Sequence, residues 1–357
     1  MSQVVFHPLR VTEVSRLTEE AVAVTFDVPP ELADRFSFIP GQHVTLRSEV
    51  DGEDLRRSYS ICANANTGKL RVGIKRLAGG RFSSYAISEL QAGDVLEVMP
   101  PIGEFTIDID PGSRRRAVAI AAGSGITPVL SLISTSLEME PLASWTLLYG
   151  NRTASSIMFL DELEGLKDRY RDRFQLFHIL SREGSDVPLL SGRIDAEKIR
   201  TIHDRLLGED PVDGWFLCGP YELVMTARET LISLGVDEED IHDELFFAGP
   251  LDEESLPPEP AEGDGSVELT VILDGRGVQT RMSPETSVLD AALRVRPELP
   301  YSCKGGMCAS CKGRIEEGEV EMEKNYALVD SELEAGFVLT CQAHPRSDRV
   351  VVRYDHR

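Results

Sequence analysis

Four cysteines near the C-terminus have the spacing of a ligand set. Cys303, Cys308 and Cys311 run as C-x4-C-x2-C in SCKGGMCASC, and Cys341 follows in LTCQAHP after 29 intervening residues. Three thiolates on one tight loop can wrap a small inorganic cluster, and a fourth from a distant segment closes it. That donor set suits a [2Fe–2S] centre. Gly305 and Gly306 lie within the loop, where a backbone folding around sulfide needs residues without Cβ that tolerate positive φ. Two other uses of these thiols stay open: zinc, whose sites usually come as two close pairs of ligands, and disulfides.

Other motifs could hold a dinucleotide or a flat heterocycle. In Arg57-Ser58-Tyr59-Ser60 an Arg fork suits a diphosphate, a Tyr ring can pack on a planar ring system, and the Ser60 hydroxyl can hydrogen-bond it. Downstream, Gly79-Gly80-Arg81-Phe82-Ser83-Ser84 has the character of a helix start, whose backbone N–H groups suit phosphate. Ala121-Ala122-Gly123-Ser124-Gly125-Ile126-Thr127-Pro128 follows an apolar strand and opens a helix. Gly123 and Gly125 permit a tight turn and close approach to a diphosphate, Thr127 can cap the helix, and Pro128 suits its first turn. This is not the full G-x-G-x-x-G fingerprint, and an ordinary strand–helix turn could carry the same glycines. Cys218-Gly219-Pro220 ends the apolar strand WFLC, at the strand terminus where open parallel sheets bind ligands; a plain buried cysteine would read the same way. Ser181-Arg182-Glu183 follows RFQLFHIL. An acid there would face a ribose 2′-hydroxyl and an Arg a 2′-phosphate, so Ser181 and Arg182 favour NADPH over NADH, with Glu183 the adjacent counter-signal.

These motifs need elements to position them. Residues 1–111 contain short β-rich runs (VTEVSRL, AVAVTFDV, HVTLRS, RSYSICA, KLRVGIKRL, DVLEVMPP) punctuated by Gly, Pro and Asp, which predicts an antiparallel barrel. Over 112–248 near-continuous apolar strands alternate with amphipathic helices, the pattern of a parallel sheet covered on both faces. Residues 249–265, GPLDEESLPPEPAEGDG, hold six acids, four prolines and no base, and read as an extended linker. From 266 to 357 a hairpin turning at Asp274-Gly275, a short helix in SVLDAALRV and the cysteine loop predict a small α+β domain.

Bulk properties bound the function. A chain of 357 residues, 41% hydrophobic and 27% charged, has room for two or three ordinary domains. A net charge of −23 argues against nucleic acid or an anionic membrane as partner and suits a soluble protein with a basic face. No apolar stretch approaches the 18 residues of a membrane span, MSQVVFHPLRVTEV lacks signal-peptide layout, and the two remaining cysteines, Cys62 and Cys218, lie far apart. The expectation is a cytoplasmic location.

The cysteine spacing resembles that of plant-type ferredoxins, whose loops usually carry Gly just after the second cysteine, where this sequence has Ala309. Arg57-x-Tyr59-Ser60 matches the R-x-Y-S signature of the ferredoxin–NADP reductase superfamily, and Gly-Ser-Gly-Ile-Thr-Pro is common in that family's nucleotide turn. The order of segments resembles the reductase components of multicomponent bacterial oxygenases over essentially the full length. YGNRTASSIMF, HILSRE with SGRID, IHDELFF, and GEVEMEKNYAL with VLTCQAHP are most similar to the reductase subunits of phenylacetyl-CoA epoxidases. The resemblance implies a multidomain fold: an antiparallel β-barrel for flavin, an α/β parallel-sheet nucleotide-binding domain and a ferredoxin-type (β-grasp) domain. It implies FAD in preference to FMN, held by Arg57, Ser58, Tyr59, Ser60, Gly80, Arg81, Phe82, Ser83 and Ser84, with the Ser60 hydroxyl near the redox-active N5. It places NADPH, in preference to NADH, on Gly123, Ser124, Gly125, Thr127, Ser181, Arg182, Cys218, Gly219 and Pro220, with Cys218 beside the nicotinamide C4 as a positioning group and not a nucleophile. Glu244 and Phe246 match positions that approach the flavin in relatives, although an ordinary apolar chain end would look alike. Cys303, Cys308, Cys311 and Cys341 would hold the cluster. The implied partner is a di-iron oxygenase acting on a CoA thioester. Reductases of ring-hydroxylating dioxygenases or steroid hydroxylases, and a redox sensor without turnover, are the alternatives.

Overall fold

The structure is a computed structural model that describes residues 6–207, 211–246, 266–273, 275–296, 299–301, 304–307 and 309–355. By internal packing the chain separates into two compact units, a larger one of Pro8–Leu55 with Tyr59–Ala248 and a smaller one of the C-terminal segment with Arg56–Ser58. The linker, 249–265, lies outside the described residues.

The expected barrel forms from β1 (His7–Thr18), β2 (Ala21–Asp27), β3 (His43–Val50), β4 (Glu53–Ser60), β5 (Leu70–Lys75) and β6 (Val95–Val98) in the order β4-β3-β6-β1-β2-β5. An antiparallel bridge from Ile61 to Val72 joins the two ends of this sheet. Helix α1 (Arg81–Ser88) follows β5 and buries Phe82, Ala86 and Ile87. The inward-facing residues, among them Val11, Val24, Leu46, Leu70, Val72 and Leu96, make one apolar core.

The parallel sheet contains β7 (Arg116–Ala122), β8 (Ser144–Asn151), β9 (Phe174–Leu180), β10 (Gly214–Gly219) and β11 (Ile241–Leu245), ordered β11-β10-β7-β8-β9. It is flanked by α2 (Ile126–Met139), α3 (Leu160–Arg169), α4 (Ala196–Leu206) and α5 (Tyr221–Ser233). Its central strands are buried on both faces, which is why β7 reads RAVAIAA with no alternation. Strand order reverses between β7 and β10, and open α/β sheets bind ligands at such a reversal, outside the strand C-termini.

The barrel is fastened to α2. Asn64 Nδ2 donates to the Ser134 carbonyl at 3.0 Å, the Ser131 hydroxyl to the Ala63 carbonyl at 2.7 Å, and Ala65 N–H to Thr135 Oγ1 at 2.9 Å. Gly73 on β5 belongs to the same contact: a Cβ there would lie 2.6 Å from Thr127 Cγ2 and 2.9 Å from the Phe159 ring. Close approach of α2 and the Phe159 ring to β5 therefore excludes any side chain at that strand position.

The smaller unit carries β12 (Val267–Leu273), β13 (Arg276–Met282), α6 (Val288–Val295), β14 (Lys312–Glu317), β15 (Val320–Met322), α7 (Asp330–Glu334), β16 (Phe337–Leu339), β17 (Ala343–Pro345) and β18 (Arg349–Arg353). Its main sheet runs β13-β12-β18-β14-β16, with β12 and β18 parallel. The hairpin falls where Asp274-Gly275 predicts it: Leu273 pairs with Arg276 and Gly275 adopts φ +69°, while Asp274 lies outside the described residues. The Ser287 hydroxyl caps α6 by accepting from Asp290 N–H. Among the described residues no helix is long and apolar enough to cross a membrane.

Candidate functional site

The reversal in the parallel sheet lies between the two strands that carry the glycine motifs. Beyond β7, Gly123–Gly125 forms a 3-10 turn that runs directly into α2, with Gly123 at φ +57°. Gly125 sits on the backbone of β10: a Cβ there would lie 2.2 Å from the Cys218 carbonyl oxygen. Gly219 adopts φ +153° against Ala122. Both motifs are glycine-rich because two backbones meet at this point. Thr127 does not cap the helix as expected. Because the 3-10 turn leads straight into α2, Thr127 is already its second residue, buried, and its hydroxyl donates to the Ser124 carbonyl at 2.9 Å. Pro220 caps α5 from the opposite strand.

Three predicted residues converge beside this turn. Cys218 on β10 pairs in register with Glu244 on β11, its Sγ 4.0 Å from Glu244 Oε2. The Ser60 hydroxyl, at the end of β4, donates to the same carboxylate oxygen at 3.3 Å. Barrel and parallel sheet thus meet at a carboxylate. Cys218 is fully buried, and burial together with Glu244 and Asp243 pushes its thiol well above the ordinary range. A thiol held protonated has no nucleophilic thiolate, which fits a positioning role. Phe246 donates its backbone N–H to the Gly219 carbonyl at 2.8 Å and packs against the core that holds Cys218.

Sequence reasoning missed two residues here. His43 on β3 is buried with Nδ1 3.8 Å from Glu244 Oε1. Lys75 ends β5 with its Nζ 3.2 Å from where a Cβ on Gly123 would stand. Burial, reinforced by the Arg152 charge, holds the Lys75 ammonium below its ordinary value. An anion placed on the Gly123 turn would relieve that repulsion, so the cationic surroundings fit a diphosphate. Neither residue stands in a motif; only a charged side chain closing an apolar strand hinted at Lys75.

At the rim, the Ser181 and Arg182 N–H groups donate to the carbonyls of Asn151 and Arg152 at 2.9 and 2.8 Å, extending the β8–β9 pairing. Both side chains are exposed. The competing acid, Glu183, accepts a hydrogen bond from Ala154 N–H at 3.0 Å and so serves the adjacent turn.

On the barrel, Tyr59 and Phe82 place their ring centroids 5.8 Å apart, with Tyr59 half-buried and Phe82 buried. Gly80 stands at the N-cap of α1 without a side-chain bond, and Ser84 lies half-buried in the first turn, a helix start whose backbone suits a phosphate. The Ser83 hydroxyl is instead built into the turn, accepting from Leu77 N–H and donating to the Gly80 carbonyl. Arg81 pairs with Glu53 and Asp51 and donates to the Val50 carbonyl. Arg57 and Ser58 are half-buried on β4, and Arg57 donates to the Arg56 carbonyl at 2.7 Å. An open helix start, an aromatic wall and a buried hydroxyl fit a flavin dinucleotide.

In the smaller unit, Cys311 and Cys341 are buried, while Cys303 and Cys308 lie outside the described residues. Thr340 ties the two segments, its N–H and hydroxyl both donating to the Cys311 carbonyl at 3.3 and 2.8 Å. Gln342 Nε2 bridges the carbonyls of Lys304 and Cys341. Gly306 adopts φ +79°, and a Cβ on it would lie 3.1 Å from the Lys324 carbonyl oxygen. Soft thiolate donors pinned on converging backbone fit an iron–sulfur cluster.

Comparison with known proteins matches this geometry. Residues 8–107 match an oxidoreductase FAD-binding domain, 119–229 an oxidoreductase NAD-binding domain and 271–346 a 2Fe-2S iron-sulfur cluster binding domain. The chain is 45% identical over 352 residues to one of the subunits of the 1,2-phenylacetyl-CoA epoxidase of Escherichia coli K12, covering 98% of each chain. It is 34% identical over 361 residues to the ferredoxin reductase component of 3-ketosteroid-9-alpha-monooxygenase from Mycobacterium tuberculosis H37Rv, covering 97% of this chain and 95% of that one. The solved structure of phthalate dioxygenase reductase shares the fold over 98% of each chain, with a TM-score of 0.60 and 24% identity.

Proposed function

The chain belongs to the reductase components of oxygenase systems, oxidoreductases with FAD-binding, NAD-binding and 2Fe-2S domains, and on that premise we propose that it passes electrons from NADPH through FAD and a [2Fe–2S] cluster to a di-iron oxygenase, phenylacetyl-CoA epoxidase. The observation that carries the electron path is the meeting of Ser60, Cys218 and Glu244 where the barrel joins the reversal point of the parallel sheet. A bound FAD supplies the conversion of a two-electron hydride transfer into the single-electron steps that a [2Fe–2S] cluster accepts.

The residues divide the remaining work. Tyr59 and Phe82 wall the flavin ring, and the first turn of α1 receives its diphosphate with Arg57. The Ser60 hydroxyl addresses the reacting edge of the ring and is itself oriented by Glu244. Cys218, neutral and buried, sets the depth to which the nicotinamide can enter. Gly123, Lys75 and the start of α2 take the nucleotide diphosphate, and Ser181 with Arg182 reads the 2′-phosphate. Cys303, Cys308, Cys311 and Cys341 hold the cluster. We place the flavin domain at 1–111, the nucleotide domain at 112–248, the linker at 249–265 and the ferredoxin-type domain at 266–357, and the three matched segments fall inside these bounds.

The choice of oxygenase rests on the E. coli relative, covered over 98% of its length. Reconstitution tests it: the purified protein is supplied with NADPH or NADH and combined separately with phenylacetyl-CoA epoxidase oxygenase subunits and with a 3-ketosteroid 9α-monooxygenase oxygenase. Turnover of phenylacetyl-CoA faster than of the steroid supports the assignment; the reverse order transfers it to the steroid system. Overlapping flavin and iron–sulfur absorption in the purified protein checks the cofactors independently.

A further inference from the structure

Strand β8 ends in Tyr149-Gly150-Asn151, at the rim of the crevice. Side chains alternate along a strand, so Tyr149 and Asn151 share a face. Tyr149 locates that face, because its hydroxyl donates to the Gly123 carbonyl, in the nucleotide turn, at 2.9 Å. Asn151 stands two residues further along, about 7 Å toward the strand C-terminus. Asn151 is 7% exposed, and its amide, which lies beside the Tyr149 hydroxyl, makes no full hydrogen bond through Nδ2 or Oδ1 among the described residues. A primary amide brings two donors and an acceptor, and proteins leave few such groups buried and unsatisfied. The site is also the right one for a ligand, since it opens at the carboxyl ends of parallel strands beside Arg152 and Arg182.

Strand order says which part of the ligand arrives there. Cys218 and Glu244 stand on β10 and β11, the Gly123 turn follows β7, and β8 and β9 lie on the far side. A dinucleotide with its nicotinamide at Cys218 and its diphosphate on the Gly123 turn brings its adenosine ribose to β8. We propose that Asn151 is a nucleotide-binding residue whose amide hydrogen-bonds the adenosine ribose–diphosphate portion common to NADH and NADPH. It complements Arg182, which addresses only the 2′-phosphate, and it rests on the reading of this crevice as the nucleotide site.

Titration calorimetry of the flavin-loaded protein with NADP+ and with NAD+ tests the assignment. Asn151→Leu keeps the side-chain size and removes the hydrogen bonds. It is expected to weaken both nucleotides by the same factor, about three- to tenfold, while leaving the thermal midpoint of the nucleotide-free protein no lower. In steady state KM rises and kcat holds. Asn151→Asp, also isosteric, gives a second reading if the Leu variant does not fold; its lost donors and added charge weaken both nucleotides at least as much. Unchanged affinities with a lowered midpoint overturn the proposal, since the amide then serves the interior. Loss confined to NADP+ overturns the assignment to a shared portion. A wild-type protein that binds neither nucleotide overturns the reading of the crevice and this proposal with it.

Discussion

Replacing Gly125 with Ala is expected to slow reduction of the flavin by NADPH about a hundredfold. Local conformation does not require glycine here, because Gly125 sits at φ −60° and ψ −9°, an ordinary right-handed position. At such a compatible conformation Ala would by itself be favoured by about 0.4–1 kcal/mol, a propensity gain that acts through the unfolded chain. The opposing term is steric. The added Cβ would stand 2.2 Å from the Cys218 oxygen, 2.6 Å from its carbonyl carbon and 2.9 Å from Gly219 N. All three are backbone atoms, so no side chain can swing aside, and the turn and β10 must part by roughly 1 Å to reach normal contact. Overpacking of this kind costs typically about 1–3 kcal/mol, which exceeds the propensity gain.

The displacement falls on Cys218, which is paired in register with Glu244, which in turn accepts from Ser60. A misplacement of about 1 Å at a reacting centre costs on the order of a hundredfold. Anaerobic stopped-flow mixing with NADPH, following flavin bleaching, reads that step. Chemical reduction of the same variant with dithionite, followed by transfer to an artificial acceptor, reads the later electron steps, which should be unaffected. A Gly125→Ala variant that folds, binds flavin and bleaches at the wild-type rate refutes the claim that this contact sets the redox geometry.

Four other outcomes are expected. Ala309 adopts φ +49°, which strains any residue with a Cβ, so Ala309→Gly should stabilise the cluster domain by about 1 kcal/mol, seen as slower thermal bleaching of the iron–sulfur absorption; faster bleaching contradicts it. Arg182→Ala should lower the preference for NADPH over NADH by about ten- to a hundredfold in kcat/KM, and equal use of both nucleotides by the wild type would sink the assignment. Burial pushes the Cys62 thiol up to about 12 and raises Cys218 well above its usual value, so neither forms thiolate at about pH 8.5, the ordinary thiol range, and peptide mapping after iodoacetamide should find both unmodified until the protein is unfolded. Cys311→Ser should abolish the [2Fe–2S] spectrum while NADPH still bleaches the flavin; loss of flavin reduction in a folded variant would show that the two units are not functionally separable.

Much of the architecture was legible because burial writes periodicity into the chain. The unbroken apolar runs of β7 and β10, the alternation around β12 and β13, and the Asp274-Gly275 turn all announce themselves locally. The error at Thr127 came from a boundary: a threonine before a proline looks like a cap, but the 3-10 turn of Gly123–Gly125 already leads into the helix and makes the hydroxyl a donor. Arg81 and Ser83 show a different limit. Their residue types suit phosphate, but acids 28 and 30 positions earlier and a carbonyl in the same turn take up their polar groups.

The readable and unreadable parts of the site differ for one physical reason. Where two backbones touch, as Gly125 does on Cys218 and Gly219, only glycine fits, and the sequence shows it. Where an ordinary side chain meets a distant partner, the neighbours in sequence carry no trace. His43 reaches Glu244 from β3, Lys75 reaches Gly123 from the end of β5, and Tyr149 reaches the same turn from β8, with Asn151 two residues beyond it on the same face. Each takes its meaning from strand order, which puts β10 and β7 side by side with β8 next in line, and from the hydrogen bonds of Asn64 and Ser131 that hold the barrel on α2. The motifs therefore identify what binds, and the topology decides which plain residues receive it.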